Sequence, residues 1–162
     1  MSTLPPCEYT PEKYDGPSKE EVIKLRGEFL TPALVTYYKN PIMIVEGHMQ
    51  YLFDETGKRY LDGFAGIVSV SAGHCHPRVM EAVNTQNSRL QHVTTIYLHP
   101  NIAKFAQKLA GTLPDGLDCV YFTNSGSEAN DLAILMARAY TKNYDVIALR
   151  NGYHGGSQGA MG

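Results

Sequence analysis

The stretch CVYFTNSGSEANDLAILMARAYTKNYDVIALR (119–150) decides the fold. Residues 119–122 read as a short apolar strand, and Asn124-Ser125-Gly126-Ser127 as a turn. Ala129, Leu132, Ala133, Met136 and Tyr140 then recur on one face at helical spacing. Residues 146–149 form a second apolar run of the buried-strand type. Strand, helix, strand in this order predicts a βαβ unit, the start of a parallel sheet.

The turn inside this unit has two readings. The first turn of a helix leaves N–H groups unpaired and carries partial positive charge. Gly126 admits a close approach, and Ser125 and Ser127 add hydroxyl donors, an arrangement suited to a phosphate. The same Ser125-Gly126-Ser127-Glu128 also fits the S-x-x-E capping box, which needs no ligand. It is neither a nucleotide P-loop, since no Gly-Lys-Ser/Thr follows, nor a GxGxxG turn. Directly after the second strand comes Asn151-Gly152-Tyr153-His154-Gly155-Gly156. Ligands of open α/β sheets sit beyond the carboxyl ends of the strands. Tyr153 is therefore expected beside the Gly126-Ser127 turn, where its ring can stack on a flat heteroaromatic cofactor. A loop tyrosine capping the core is the alternative.

Working outward, Ile102, Phe105, Ala106, Leu109 and Leu113 form one apolar stripe of a helix after Pro100, closed by Pro114-Asp115-Gly116. Pro77 opens a helix over 77–90. Before it, His74-Cys75-His76 invites a metal reading, but no third or fourth ligand has suitable spacing. A catalytic Cys75–His pair and a structural turn into the helix are the other readings. Runs at 42–45, 49–53 and 58–62, broken at Glu46-Gly47-His48 and Asp54-Glu55-Thr56-Gly57, predict a small antiparallel meander that must pack on something else. A helix over 20–30 follows Ser18 as N-cap, and 1–19 reads as a proline-bearing extended arm.

The 162 residues suffice for one domain, and a composition 43% hydrophobic and 19% charged is that of a globular protein. A formal charge of -2 gives no basic face for nucleic acid. No apolar run approaches the roughly 20 residues of a membrane-spanning helix. Three widely spaced cysteines, Cys7, Cys75 and Cys119, argue against a disulfide framework and for a reducing compartment. The N-terminal segment has neither a secretory apolar core nor an Arg-rich presequence. The closing YHGGSQGAMG reads as a sheet cut in its middle.

Four stretches carry a resemblance: YLFDETGKRYLDGFAGIVSVSAGHCHP (51–77), LQHVTTIYLHP (90–100), VYFTNSGSEANDLAILMAR (120–138) and NGYHGG (151–156). In this order they make the chain resemble the class III aminotransferases dependent on pyridoxal phosphate (PLP), and among them the alanine–glyoxylate branch. The resemblance implies an α/β chain of PLP fold type I, incomplete. Residues 1–73 would be the N-terminal arm and small-domain meander, and 74–162 the beginning of a mainly parallel large domain. It assigns Ser125, Gly126 and Ser127 to the PLP phosphate and Tyr153 to the pyridine ring, with His154 beside it. It puts Gly66, Ile67 and Val68, and the region of Tyr37 and Tyr38, at the substrate entrance. Glu128 and Asp131 share a helical turn, and the family often has Glu where Asp131 stands.

The family also uses a Schiff-base lysine and an acid paired with the pyridine nitrogen. None of the eight lysines (Lys13, Lys19, Lys24, Lys39, Lys58, Lys104, Lys108, Lys142) has the matching context. No catalytic residue is therefore assigned in this chain, and the 162-residue chain alone is expected to be inactive. The implied activity is ping-pong transamination, alanine to glyoxylate, on amino acid and 2-oxo acid substrates. The implied setting is a homodimer in the mitochondrion, with the cytoplasm as alternative and neither nucleic acid nor membrane as partner. Ornithine or 4-aminobutyrate transamination, an aminomutase and a decarboxylase stay open. So does a non-catalytic short product that pairs with a full-length aminotransferase.

Overall fold

The computed structural model describes residues 4–161. They fall into two compact units, one running to His92 and one beginning at Val93.

In the first unit, helix α1 (Lys19–Phe29) starts as its sequence dictates. Ser18 is extended, its Oγ accepts from the Glu21 N–H at 3.2 Å, and Glu20 and Glu21 complement the helix dipole. Strands β1 (Ile44–His48), β2 (Tyr51–Asp54) and β3 (Arg59–Leu61) form the expected antiparallel meander in the order β1-β2-β3. The first hairpin turns at Met49-Gln50, later than the expected Glu46-Gly47-His48, because His48 pairs with Tyr51 across the ladder. Met49 takes the positive φ of 50° that tight hairpin turns call for. The second turn is organised by one carboxylate. Asp54 Oδ1 accepts from Thr56 N (2.9 Å), Thr56 Oγ1 (2.7 Å) and Lys58 N (3.0 Å), and Oδ2 from the Tyr60 hydroxyl (2.7 Å).

Tyr51 and Phe53 are the buried apolar side chains among the described residues, and the N-terminal arm covers them. Tyr9 stacks on His48 at 4.1 Å and tilts against Phe53 at 5.7 Å. Its hydroxyl donates to Glu46, and the Tyr51 hydroxyl donates to the Pro5 carbonyl at 2.9 Å. The bond to Glu46, with desolvation behind it, pushes the Tyr9 hydroxyl up to about 12.

The loop from Asp62 to His74 is tied at both ends. Asp62 Oδ1 accepts from the Phe64 and Ala65 amides, each at 2.9 Å, and Oδ2 lies 2.7 Å from His74 Nε2. The His74 backbone exchanges two hydrogen bonds with Met49, at 2.7 and 2.8 Å. His74 thus holds the loop onto the first hairpin turn, a role distinct from the expected turn into the Pro77 helix. Gly47 makes room for it, since a Cβ there would lie 2.9 Å from His74 Cβ. Inside the loop, the single turn α2 (Ala65–Val68) has φ between 51° and 64° at all four residues. Such values strain the β-branched Ile67 and Val68. Helix α3 (Pro77–Asn87) carries Pro77 in its first turn and stops short of the expected residue 90.

The second unit holds helices α4 (Pro100–Ala110) and α5 (Gly126–Thr141) and the short α6 (Gln158–Met161). From the apolar stripe of α4, Phe105 stacks on Phe122 at 5.3 Å. Helix α5 is the expected one, and it ends on Lys142 in left-handed backbone at φ 58°. The strands expected at 119–122 and 146–149 are not formed, and the meander is the one sheet among the described residues. Parallel strands are stable when laddered and covered on both faces. Here Ile147 is 102% exposed and Leu149 82%. The second segment instead runs beside α5, where Arg138 Nε donates to the Tyr144 carbonyl at 2.9 Å. No helix among the described residues is long and apolar enough to cross a membrane.

Candidate functional site

The site is built on the N-terminus of α5. Ser125 is extended (φ -154°, ψ 162°), and its Oγ accepts from the Glu128 N–H at 3.2 Å. Glu128 Oε2 reaches back to the Asn124 amide N–H at 2.7 Å and to Asn124 Nδ2 at 3.2 Å. The capping box is therefore present, closed on the residue before the cap. It engages the Glu128 amide, and the Ala129 amide bonds the Ser125 carbonyl at 3.0 Å. The Gly126 and Ser127 amides are left with no acceptor among the described residues, as the first turn of a helix leaves them. The space over Gly126 is open, and a Cβ there would meet nothing within 4 Å. The capping box thus forms and still leaves these two amides open.

The 154–157 segment is fastened to the same turn. Ser127 Oγ accepts from the Gly156 N–H at 2.9 Å, which leaves its own proton free to be donated. Asn130 Nδ2 donates to the His154 carbonyl at 2.6 Å, and the Ser157 hydroxyl donates to Asp131 Oδ1 at 2.6 Å. Gly155 is buried at φ 131°, and a Cβ there would lie 2.8 Å from Ser127 Oγ, so the backbones meet as only glycine allows.

Tyr153 stands two residues before Gly155, so the chain puts it within about 7 Å of backbone reach of the α5 terminus. Its side chain is 86% exposed. His154 is attached through its carbonyl, while its ring turns back toward Gly152. The structure thus fastens the 154–157 segment to the start of α5 at Ser127, Asn130 and Asp131, with the Tyr153 ring exposed beside that attachment. Gly66, Ile67 and Val68 lie in the first unit, on the strained turn α2, with both branched side chains largely exposed. Tyr37 and Tyr38, also there, meet edge to face at 6.1 Å.

Sequence reasoning missed what Asn130 and Ser157 do, and read Asp131 only as a turn-mate of Glu128. A signal was available: Ser127, Asn130 and Asp131 are polar residues at i, i+3 and i+4, neighbours on one helix face.

A family model described as aminotransferase class-III matches residues 35–162. The alanine–glyoxylate aminotransferase 2 homolog 2, mitochondrial, of Arabidopsis thaliana is 54% identical over 162 residues, covering 100% of this chain and 34% of the relative. A phospholyase from Arthrobacter, solved in complex with phosphoethanolamine, superposes with a TM-score of 0.80 at 31% identity, over 86% of this chain and 32% of its own. A taurine:2-oxoglutarate aminotransferase from Bifidobacterium kashiwanohense, in complex with PLP and glutamate, gives a TM-score of 0.74 at 25% identity, over 91% of this chain and 33% of its own. The chain spans about a third of the length of the relatives it matches.

Proposed function

The chain belongs to the class III aminotransferases and has, in part, their PLP fold type I, and from that premise we propose that the whole protein binds PLP and moves an amino group between an amino acid and a 2-oxo acid. The observation that carries the proposal is the first turn of α5. Two unpartnered amides, at Gly126 and Ser127, and the hydroxyls of Ser125 and Ser127 make a donor cluster at the positive end of a 16-residue helix. The nearest carboxylates, Glu128 and Asp131, already accept from Asn124 and Ser157. These residues fit a phosphate.

In this reading Ser125, Gly126 and Ser127 hold the phosphate, Tyr153 lies against the pyridine ring, and His154 flanks it. When bound, PLP supplies an electron sink for charge developing at the α-carbon of the amino acid. This chain's own residues bind and orient: the helix terminus fixes one end of the cofactor and the aromatic ring fixes its plane. Residues 1–73 serve as arm and small-domain meander, and 74–162 as the beginning of the large domain. The turn at Gly66, Ile67 and Val68 lines the substrate entrance.

Alanine as donor, glyoxylate as acceptor and the mitochondrion as setting follow from the likeness to the Arabidopsis relative, whose name carries all three. A homodimer follows from the family resemblance. The likeness to the Arthrobacter phospholyase favours one second reading, elimination of phosphate from a phosphorylated amino alcohol.

The test uses the full-length protein. It is expected to retain PLP through gel filtration and to convert alanine and glyoxylate to pyruvate and glycine. Phosphate release from phosphoethanolamine without pyruvate formation would move the second reading ahead. A protein that takes up no PLP would remove both.

A further inference from the structure

We infer that Asn130 and Asp131 are positioning residues of this site, mounting the Tyr153 loop and the Gly126-Ser127 amides as one rigid cradle; the inference rests on the cofactor reading above. Ser127, Asn130 and Asp131 lie on one face of α5, and each takes a different atom of the loop. Ser127 takes the Gly156 N–H, Asn130 the His154 carbonyl and Asp131 the Ser157 hydroxyl. One donor and two acceptors meet their complements in alternate chemistry, so the loop has a single register on the helix. Gly155, pressed on Ser127, adds a steric stop, as does Gly159, where a Cβ would lie 2.7 Å from Asp131 Oδ1.

Tyr153 immediately precedes the first of these attachments. Its ring is 86% exposed, with no ring-to-ring contact among the described residues. The backbone sets the point from which the ring projects, and the three attachments hold that backbone. The helix face in turn is fixed by the capping box at its start. Asn130 and Asp131 act on the cofactor through the loop. The Ser157 hydroxyl lies 2.6 Å from Asp131 Oδ1, at the short end of the range for a hydroxyl donor on an oxygen acceptor.

The experiment uses the full-length holoenzyme and its apo form. Asn130→Asp replaces the donor with an acceptor facing the His154 carbonyl. Asp131→Ala and Ser157→Ala delete one bond from either side, while Asp131→Asn keeps a side-chain oxygen to accept it. Two quantities are read: amide hydrogen exchange across 153–157, and the dissociation constant of PLP from titration of the apo protein. Asn130→Asp, Asp131→Ala and Ser157→Ala are each expected to speed exchange and to weaken PLP binding about tenfold, the effect of one lost hydrogen bond. Asp131→Asn is expected to recover most of both, and Asp131→Ala with Ser157→Ala to add little to either alone. Exchange at the wild-type rate in these variants would overturn the inference. So would faster exchange with unchanged PLP affinity. A wild-type protein that takes up no PLP would instead sink the cofactor reading and the inference with it, which separates the two failures.

Discussion

At the scale of single residues, Asp54 shows how one carboxylate can hold a turn. Burial alone would raise it, but the hydrogen bonds from Thr56, Tyr60 and the Lys58 amide outweigh that and hold it at about 2, below the ordinary 3.8. A carboxylate with a depressed folded value contributes stability above its unfolded value and loses it as pH falls toward the folded one. The gap in urea midpoint between the full-length protein and its Asp54→Asn variant should therefore be constant from pH 7 to about 5 and begin to close below about 4. A gap independent of pH would put the contribution in shape and not in charge. Gly126 offers a sharper test of the site. Its position is ordinary helix start with open space above, so Asp is tolerated and favoured by the helix dipole. Gly126→Asp should keep the fold and its circular dichroism while lowering PLP affinity by at least about tenfold through like-charge repulsion of the phosphate. Asp54 as turn hub was half legible: Asp-x-x-Gly marks a turn, but the Tyr60 hydroxyl arrives from the next strand.

At the scale of elements, the helices were legible because their signals are local. Ser18, Pro77, Pro100 and the Ser125-to-Glu128 box sit where the chain starts each helix. Ser125→Ala should cost about 1 kcal/mol of stability through the lost cap. Lys142→Gly should gain about 0.5 to 1 kcal/mol, since Lys142 ends α5 at φ 58° where glycine is unstrained. Both are read as shifts in the thermal midpoint of the full-length protein. The strands divide by the same logic. The meander joins neighbours through tight turns, so sequence gives its order, with the first turn displaced because the ladder runs on to the His48–Tyr51 pair. Residues 119–122 and 146–149 have strand composition, but a parallel ladder depends on partners that no local pattern encodes. The Asn130 and Asp131 attachments were illegible for that reason too: the helix face could be read, its occupant could not.

At the scale of the whole molecule, the described residues bury little. Beyond Tyr51 and Phe53, side chains such as Ile96, Leu98, Tyr140 and Ile147 lie in water, against the hydrophobic effect that drives folding. The 162-residue chain expressed alone should bind a hydrophobic dye such as ANS and melt without a cooperative transition, whereas the full-length protein should melt cooperatively. A sharp monomeric melt of the short chain would contradict this. One part stands apart. The meander, the arm over it and the loop clasped by Asp62 and His74 are held by hydrogen bonds among residues before 75. All of these contacts become available once that stretch has left the ribosome. Synthesis runs at about 5 to 20 residues per second, so the clasp has seconds to close before later segments appear. Vectorial synthesis then lets this piece set first, while the rest of the chain is still being made.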